Sequence, residues 1–285
     1  MRDARRHVAP DYQALTFSKL RQVMAAAYQS VRNRPMIHGL IEVDATKARA
    51  FLRAYKATTG ESLSFTAFLI ACLSKAVEED KTVQAFRKGG KRLVVFDDVD
   101  VYMPVEREVD GQSQLMVAII RAANRKTIRA IHGEIRAAQE ADVAKALTWL
   151  RFVPRVLFRP YMWLFWRISS AYPQFRKKQL GTVGITAVGM FGKGAGWGIP
   201  ASFATPLMVT VGGIGERYTI VDGQSVQSVP REYLCLTISV DHDTVDGAPA
   251  ARFTERLEEL IESGYGLDAP LLESRRAGAA PAVAM

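Results

Sequence analysis

The stretch YLCLTISVDHDTVDGAPAARFTERLEELIES, residues 233–263, passes from a β-rich run through a polar loop into an amphipathic helix. YLCLTISV reads as a strand. The helix opens at Pro249, where a missing N–H is tolerated, and carries Phe253, Leu257, Leu260 and Ile261 on one face. His242 therefore stands where a strand ends and a loop begins, a position from which side chains often act on ligands. Taken alone, a histidine there is a hydrogen-bonded loop residue. Its neighbours alter the reading: Asp246 follows four residues later and Gly247 directly after it, giving His-x-x-x-Asp-Gly. The glycine permits backbone that other residues resist, and the aspartate can brace the loop through an ion pair with a distant arginine.

Working outward, apolar and small residues recur at helical spacing over residues 17–31. The strand-like MIHGLIEVD and a helical pattern over residues 45–57, ended by Gly60, come next. SFTAFLIACLSKAVEED opens with Ser64 as N-cap of a largely buried helix in which Cys72 is a small core residue. RLVVFDDVDVYMPVERE and QLMVAIIRAA read as strands joined by a hairpin turn at Asp110-Gly111. Residues 127–144 form a polar amphipathic helix, and LGTVGITAVG and TPLMVTVGGI are two more β-rich runs. The order implies an α/β fold with helices on one side of a mixed sheet.

The 285 residues, about half of them apolar, suffice for a large core. Two cysteines without paired spacing, Cys72 and Cys235, indicate neither a disulfide framework nor a zinc site and suit a reducing cytoplasm. The N-terminus has basic residues but no apolar stretch behind them, so no secretory signal is expected. A net charge of +9 favours anionic partners: nucleic acid, a membrane surface or the phosphates of a cofactor. No zinc-finger or RNA-binding signature accompanies it, so nucleic acid is not expected. His7, His38 and His132 lack metal-ligand spacing, and no metal is expected.

The segment LTISVDHDTVDGAPAARFTERLEELIE resembles the C-terminal motif of the acyltransferase component of 2-oxo acid dehydrogenase complexes. GITAVGMFG resembles that family's strand carrying an oxyanion-stabilising hydroxyl. FSKLRQVMAAAYQS with MIHGLIEVD resembles its first helix and strand, and VDVYMPVERE through AIIRAANRKTIRAIHGEIR its middle. The resemblance covers most of residues 17–263, in order. It implies a fold like chloramphenicol acetyltransferase, a two-layer sandwich working as a homotrimer with active sites between subunits, or a larger homo-oligomer built from trimers. It further implies His242 as catalytic base, Thr186 as the hydroxyl facing the reacting carbonyl, Asp246 as the structural aspartate and Arg21 as its partner, with Gly247 supporting the loop. On its residues alone, Thr186 is an ordinary strand threonine.

The chemistry asks for the same groups. A thiol of pKa near 8.5 is only partly ionised at neutral pH, so an imidazole within hydrogen-bond reach can take its proton as attack begins. A hydroxyl aimed at the developing oxyanion is worth roughly 3 kcal/mol. The resemblance thus implies coenzyme A as substrate and, since no lipoyl-type segment precedes this domain, a lipoyl group on a separate carrier protein or another thiol, amine or hydroxyl acceptor. The rival reading is a non-catalytic trimeric or cage-forming scaffold of the same fold.

Two departures stand out. Asp243 follows the histidine where the family has arginine, reversing the charge beside the base. TWLRFVPRVLFRPYMWLFWRISSAYP, residues 148–173, replaces a short polar connection and holds three of the four tryptophans. Arg151, Arg155 and Arg159 recur at helical spacing, while Pro154 and Pro160 should break or kink a helix. The apolar runs are too short to span a bilayer. The segment suits a subunit or core contact, a wall of an acyl pocket, or a peripheral membrane contact. FGKGAGWGIP lacks the P-loop order and reads as a mobile loop. The expected organisation is an arm (1–16), a catalytic unit (17–265) and a flexible tail (266–285).

Overall fold

The computed structural model describes residues 34–109, 112–140, 155–189, 194–200, 205–221 and 227–268, with Gln22, Ala25 and Gln29 besides. Those three are helical, within the helix expected at 17–31, whose other residues lie outside the described ones. Strand β1 (Met36–Asp44) leads to α1 (Thr46–Thr59), which stops where Gly60 turns left-handed at φ 75°. Helix α2 (Phe65–Glu79) starts at Ser64, whose hydroxyl accepts from the Ala67 N–H at 3.4 Å. Every residue from Ala67 to Leu73 is buried, Cys72 among them, so α2 is the central helix of the core.

The run RLVVFDDVDVYMPVERE does not form one strand. Its start belongs to a ribbon of β2 (Phe86–Lys88) and β3 (Arg92–Val94), and its end is β4 (Val101–Val109). Acidic residues cause the break: Asp97 turns out to Lys81, Asp98 pairs with Arg125, and Asp100 is buried against Arg121 at 2.8 Å. β4 pairs antiparallel with β5 (Gln112–Ile120) through Val109 and Gln112; the turn at 110–111 lies outside the described residues. Then follow α3 (Ile128–Glu140), α4 (Arg155–Ala171), α5 (Pro173–Leu180) and β6 (Val183–Ala187). The chain ends with β7 (Leu207–Val221), β8 (Gln227–Asp241) and α6 (Gly247–Ser263). α6 begins two residues before Pro249, and β7 and β8 extend as a hairpin well past the expected runs.

The six-stranded sheet has the order β1-β8-β7-β6-β4-β5. β6 is parallel to both neighbours, and the other pairs are antiparallel. Alternate residues, among them Val101, Val183, Ile185, Leu207, Val209, Leu236 and Ile238, join one cluster with Phe68, Ile70 and Leu73 of α2, Ile131 of α3 and Leu257 of α6. The helices therefore cover one face, as the expected two-layer α/β sandwich requires. The alternating residues on the other face include Gly184, Thr186, Met208, Thr210, Thr237 and Ser239.

Residues 194–200 lie on that second face and are pinned there, contrary to a mobile loop. Gly213 N–H donates to Gly196 O at 2.8 Å and the Trp197 indole N–H to Ile41 O at 3.0 Å. A Cβ on Gly213 would stand 1.9 Å from Gly194 O, and one on Gly212 2.1 Å from Gly196 O, so backbone meets backbone here. Residues 190–193 lie outside the described ones.

Pro160 does not end its helix. α4 starts just after Pro154 and runs through Pro160, forfeiting a backbone bond in its second turn. Phe165 stacks edge-on against Phe175 of α5 at 5.6 Å. Arg151 and the side chains of Arg155 and Arg159 lie outside the described set. No described helix is long and apolar enough to cross a membrane.

Candidate active site

The starts of β1 and β7 and the end of β8 meet at one end of the sheet. Asp241 closes β8, its N–H donating to Pro206 O at 2.8 Å beside the start of β7, and His242 N–H donates to Pro35 O at 2.7 Å beside the start of β1. Asp241 then organises the loop after it. Its carbonyl accepts from the Thr244 and Val245 N–H groups and the Thr244 hydroxyl, and its Oδ1 accepts from the Asp243 N–H at 3.1 Å. Its other oxygen pairs with Arg34 at 3.3 Å, both side chains being mostly buried. Burial lowers the Arg34 pKa, opposed by Asp241 and Asp243.

The His242 imidazole is half-exposed, with Nδ1 3.8 Å from Asp246 Oδ1, beyond hydrogen-bond length. The Asp246 side chain is 88% exposed and makes no capping bond to α6. Gly247 begins α6 in open space. Arg21 lies outside the described residues, so its pairing with Asp246 does too. The buried arginine–carboxylate brace of this loop among the described residues is Arg34–Asp241. Residue spacing does not pick it out, since Arg34 and Asp241 are 207 positions apart. The Asp243 carboxylate reaches the Arg87 guanidinium at 3.2 Å.

Thr186 sits elsewhere, on the face opposite the helices. It is in register with Thr210, which is in register with Thr237, so three threonines cross β6, β7 and β8 in a row. The hydroxyls of Thr210 and Thr237 are buried without a partner among the described residues. Farther along β8, Ser239 Oγ and His38 Nδ1 share a hydrogen bond of 2.8 Å, a pair that sequence reasoning left without a role. His242 is five residues past Thr237, about 17 Å along the strand, and two strands from Thr186, about 10 Å across. One chain thus keeps the two side chains about 20 Å apart.

The strand holding Thr186 is fixed at its start. Asp100 N–H donates to Thr182 Oγ1 at 3.1 Å, Thr182 N–H returns to Asp100 O at 2.7 Å, and Gly181 adopts φ 72°, where a Cβ would fall 2.5 Å from Asp100 O. What the arrangement offers chemically is a half-exposed imidazole on a braced loop and a half-buried hydroxyl on the sheet face opposite the helices.

This order of parts recurs in known proteins. The family model of the 2-oxoacid dehydrogenases acyltransferase catalytic domain matches residues 9–149 and 174–267, leaving out 150–173. The lipoamide acyltransferase component of the branched-chain alpha-keto acid dehydrogenase complex of Bacillus subtilis is 24% identical over 228 residues, 79% of this chain and 46% of that protein. The dihydrolipoyllysine-residue acetyltransferase component of the pyruvate dehydrogenase complex of Pseudomonas aeruginosa is 27% identical over 260 residues, 88% of this chain and 41% of that protein. The chain therefore spans less than half the length of these relatives. Among solved structures, the cubic core of the pyruvate dehydrogenase multienzyme complex superposes with a TM-score of 0.66 at 20% identity, covering 94% of this chain and 98% of that one. With the match running through β1, β6 and the His242 loop, the chain belongs to the 2-oxoacid dehydrogenase acyltransferase family, catalytic domain.

Proposed function

We propose that this protein is a CoA-dependent acyltransferase whose active site is built between two copies of the chain, His242 from one and Thr186 from the next. The observation that carries the reading is the strand register, which sets Thr186 and His242 two strands and five residues apart, about 20 Å at ideal strand spacings, because base and oxyanion donor must both lie within about 3 Å of the reacting group. A closed ring with head-to-tail contacts supplies the second residue at every interface, and a trimer is the smallest such ring beyond a dimer.

In the reaction, the neutral His242 imidazole takes the proton of the attacking thiol while sulfur bonds to the thioester carbonyl carbon. The oxyanion is held by the Thr186 hydroxyl. Its collapse breaks the original C–S bond, and the imidazolium returns the proton to the leaving thiolate. The His242 loop is held in place by Asp241 and Arg34, while exposed Asp246 and Gly247 shape its exit into α6. CoA is one substrate, and a dihydrolipoyl group on a carrier is the partner that the family relation favours. We place the protein in a reducing cytoplasm, which two free buried cysteines suit.

His242→Ala should lower turnover ~10²–10⁴-fold, measured as thiol release from acyl-CoA with dihydrolipoamide as acceptor, without lowering the melting temperature. Turnover unchanged by this variant, or absent from the wild type with every acceptor, would leave the scaffold reading in its place.

We also read residues 148–173 as a segment that docks on an anionic lipid surface. Residues 148–173 hold four arginines and no acidic residue. On α4, Trp163 is 64% exposed with Arg167 over its ring at 5.6 Å, and Tyr161, Leu164 and Ile168 are exposed as well, as is Tyr172 just after the helix. Aromatic and apolar side chains beside cations suit the headgroup boundary. Sedimentation with phosphatidylglycerol vesicles should capture the protein at low salt and release it as salt rises, with phosphatidylcholine vesicles capturing little. Equal capture by both lipids would count against this surface.

A further inference from the structure

Behind the His242 loop lies a pocket of about 330 Å³ lined by Arg34, Phe86, Arg87, Arg176, Asp241 and Asp243 among others. Its charges do not balance. Arg34 pairs with Asp241 at 3.3 Å and Arg87 with Asp243 at 3.2 Å, but Arg176 has no ion pair or side-chain hydrogen bond among the described residues. Arg176 is only 6% exposed, and its Nη2 is buried without a partner among the described residues. Its one described side-chain contact of note is the Phe86 ring, 4.9 Å from the guanidinium carbon. Such stacking uses the face of the guanidinium and leaves its in-plane N–H donors unspent. Burial and the neighbouring Arg34 push the Arg176 pKa well down, with Asp241 opposing.

Three guanidinium groups against two carboxylates leave one positive charge in a half-open pocket whose inner wall holds the buried Arg176, and a buried unpaired cation is costly unless a counter-charge joins it. The volume equals about ten waters, room for an oxyanion and a few atoms of whatever carries it. We propose that this pocket binds a small oxyanion, a carboxylate or phosphate group, through Arg176 with Arg34 and Arg87. Forked N–H donors match both anions. The oxyanion has two sources: the terminal carboxylate of a dicarboxylic acyl group or acceptor, or free phosphate. Because Asp241 and Asp243 flank His242, an anion competing for their arginines acts on the loop that holds the base. Binding itself does not depend on the acyltransferase reading; only its consequence for turnover does.

The test is thermal melting of the whole chain in inorganic phosphate or succinate, at ionic strength held constant with chloride. The melting temperature of the wild type should rise with the logarithm of anion concentration. Arg176→Met should abolish that rise and melt no lower than the wild type without anion, since it removes an unpaired buried charge. Arg87→Gln, at an exposed site, should keep the fold and weaken the response several-fold. No rise with either anion, or an equal rise in Arg176→Met, overturns the site. Comparing kcat/KM for an acyl-CoA ending in carboxylate with a neutral one of equal length separates the sources. A preference lost in Arg176→Met makes the ligand a substrate carboxylate, and melting that responds to phosphate without such a preference makes it free phosphate. If neither protein turns over, the acyltransferase reading fails while the melting result still judges the pocket.

Discussion

If each active site joins His242 of one copy to Thr186 of the next, two inactive variants should rescue each other. Thr186→Val keeps the base and loses the hydroxyl, which at about 3 kcal/mol predicts a fall of ~100-fold. His242→Ala keeps the hydroxyl and loses the base, predicting ~10²–10⁴-fold. In an oligomer assembled at random from equal amounts, a site is intact when its His donor is the threonine variant and its Thr donor the histidine variant. That holds for about one site in four, whatever the size of the ring. Co-expressed variants should therefore give about a quarter of wild-type activity per site, at least tenfold above either variant alone. The assay is acyl-CoA thiol release on mixed oligomers whose composition is confirmed by native mass spectrometry. The basis is the in-register row Thr186, Thr210, Thr237 and the five further residues to His242, which put about 20 Å between the two groups in one chain. Activity of verified mixed oligomers equal to the mean of the parents would refute the reasoning.

Three further outcomes follow from the packing. Gly213→Ala drives a methyl against Gly194 O at 1.9 Å and should destabilise the protein by about 1–3 kcal/mol, read by urea unfolding. Leu257→Ala empties a site 1% exposed between α6 and the core and should cost ~2–5 kcal/mol by the same measure. His132 gives a pH signature. Its Nδ1 accepts from the Ser64 N–H at 3.1 Å, and burial, followed by Arg136, lowers its pKa below 6.5. Between the folded and unfolded values the unfolded chain binds more protons, so this stability is fully present above pH 6.5 and is lost as pH falls through the folded value. His132→Gln should flatten that limb of the melting profile, while the lowered carboxyl pKa values of Glu61, Glu78 and Glu79 act in a separate window below 4.5.

Much of the fold is legible wherever local pattern and burial agree. MIHGLIEVD is β1, Ser64 caps α2, and Gly60 stops α1, because each signal is a backbone preference acting within a few residues. The far half of the β7–β8 hairpin escaped reading because ERYTIV and QSVPRE pair with each other, and polar faces carry no burial signal. The passage of α4 through Pro160 runs against local propensity as well.

For the site, the sequence determined that a histidine stands at a strand-to-loop junction ahead of an Asp-Gly pair and a helix, since those features depend on neighbours in the chain. Only tertiary structure decided that Arg34 braces Asp241, that Arg87 takes up the charge of Asp243, and that Arg176 is buried without a counter-ion among the described residues. It alone set Thr186 and His242 two strands and five residues apart. Contacts between residues some 150–200 positions apart are fixed by strand order and register, which no local stretch of sequence encodes.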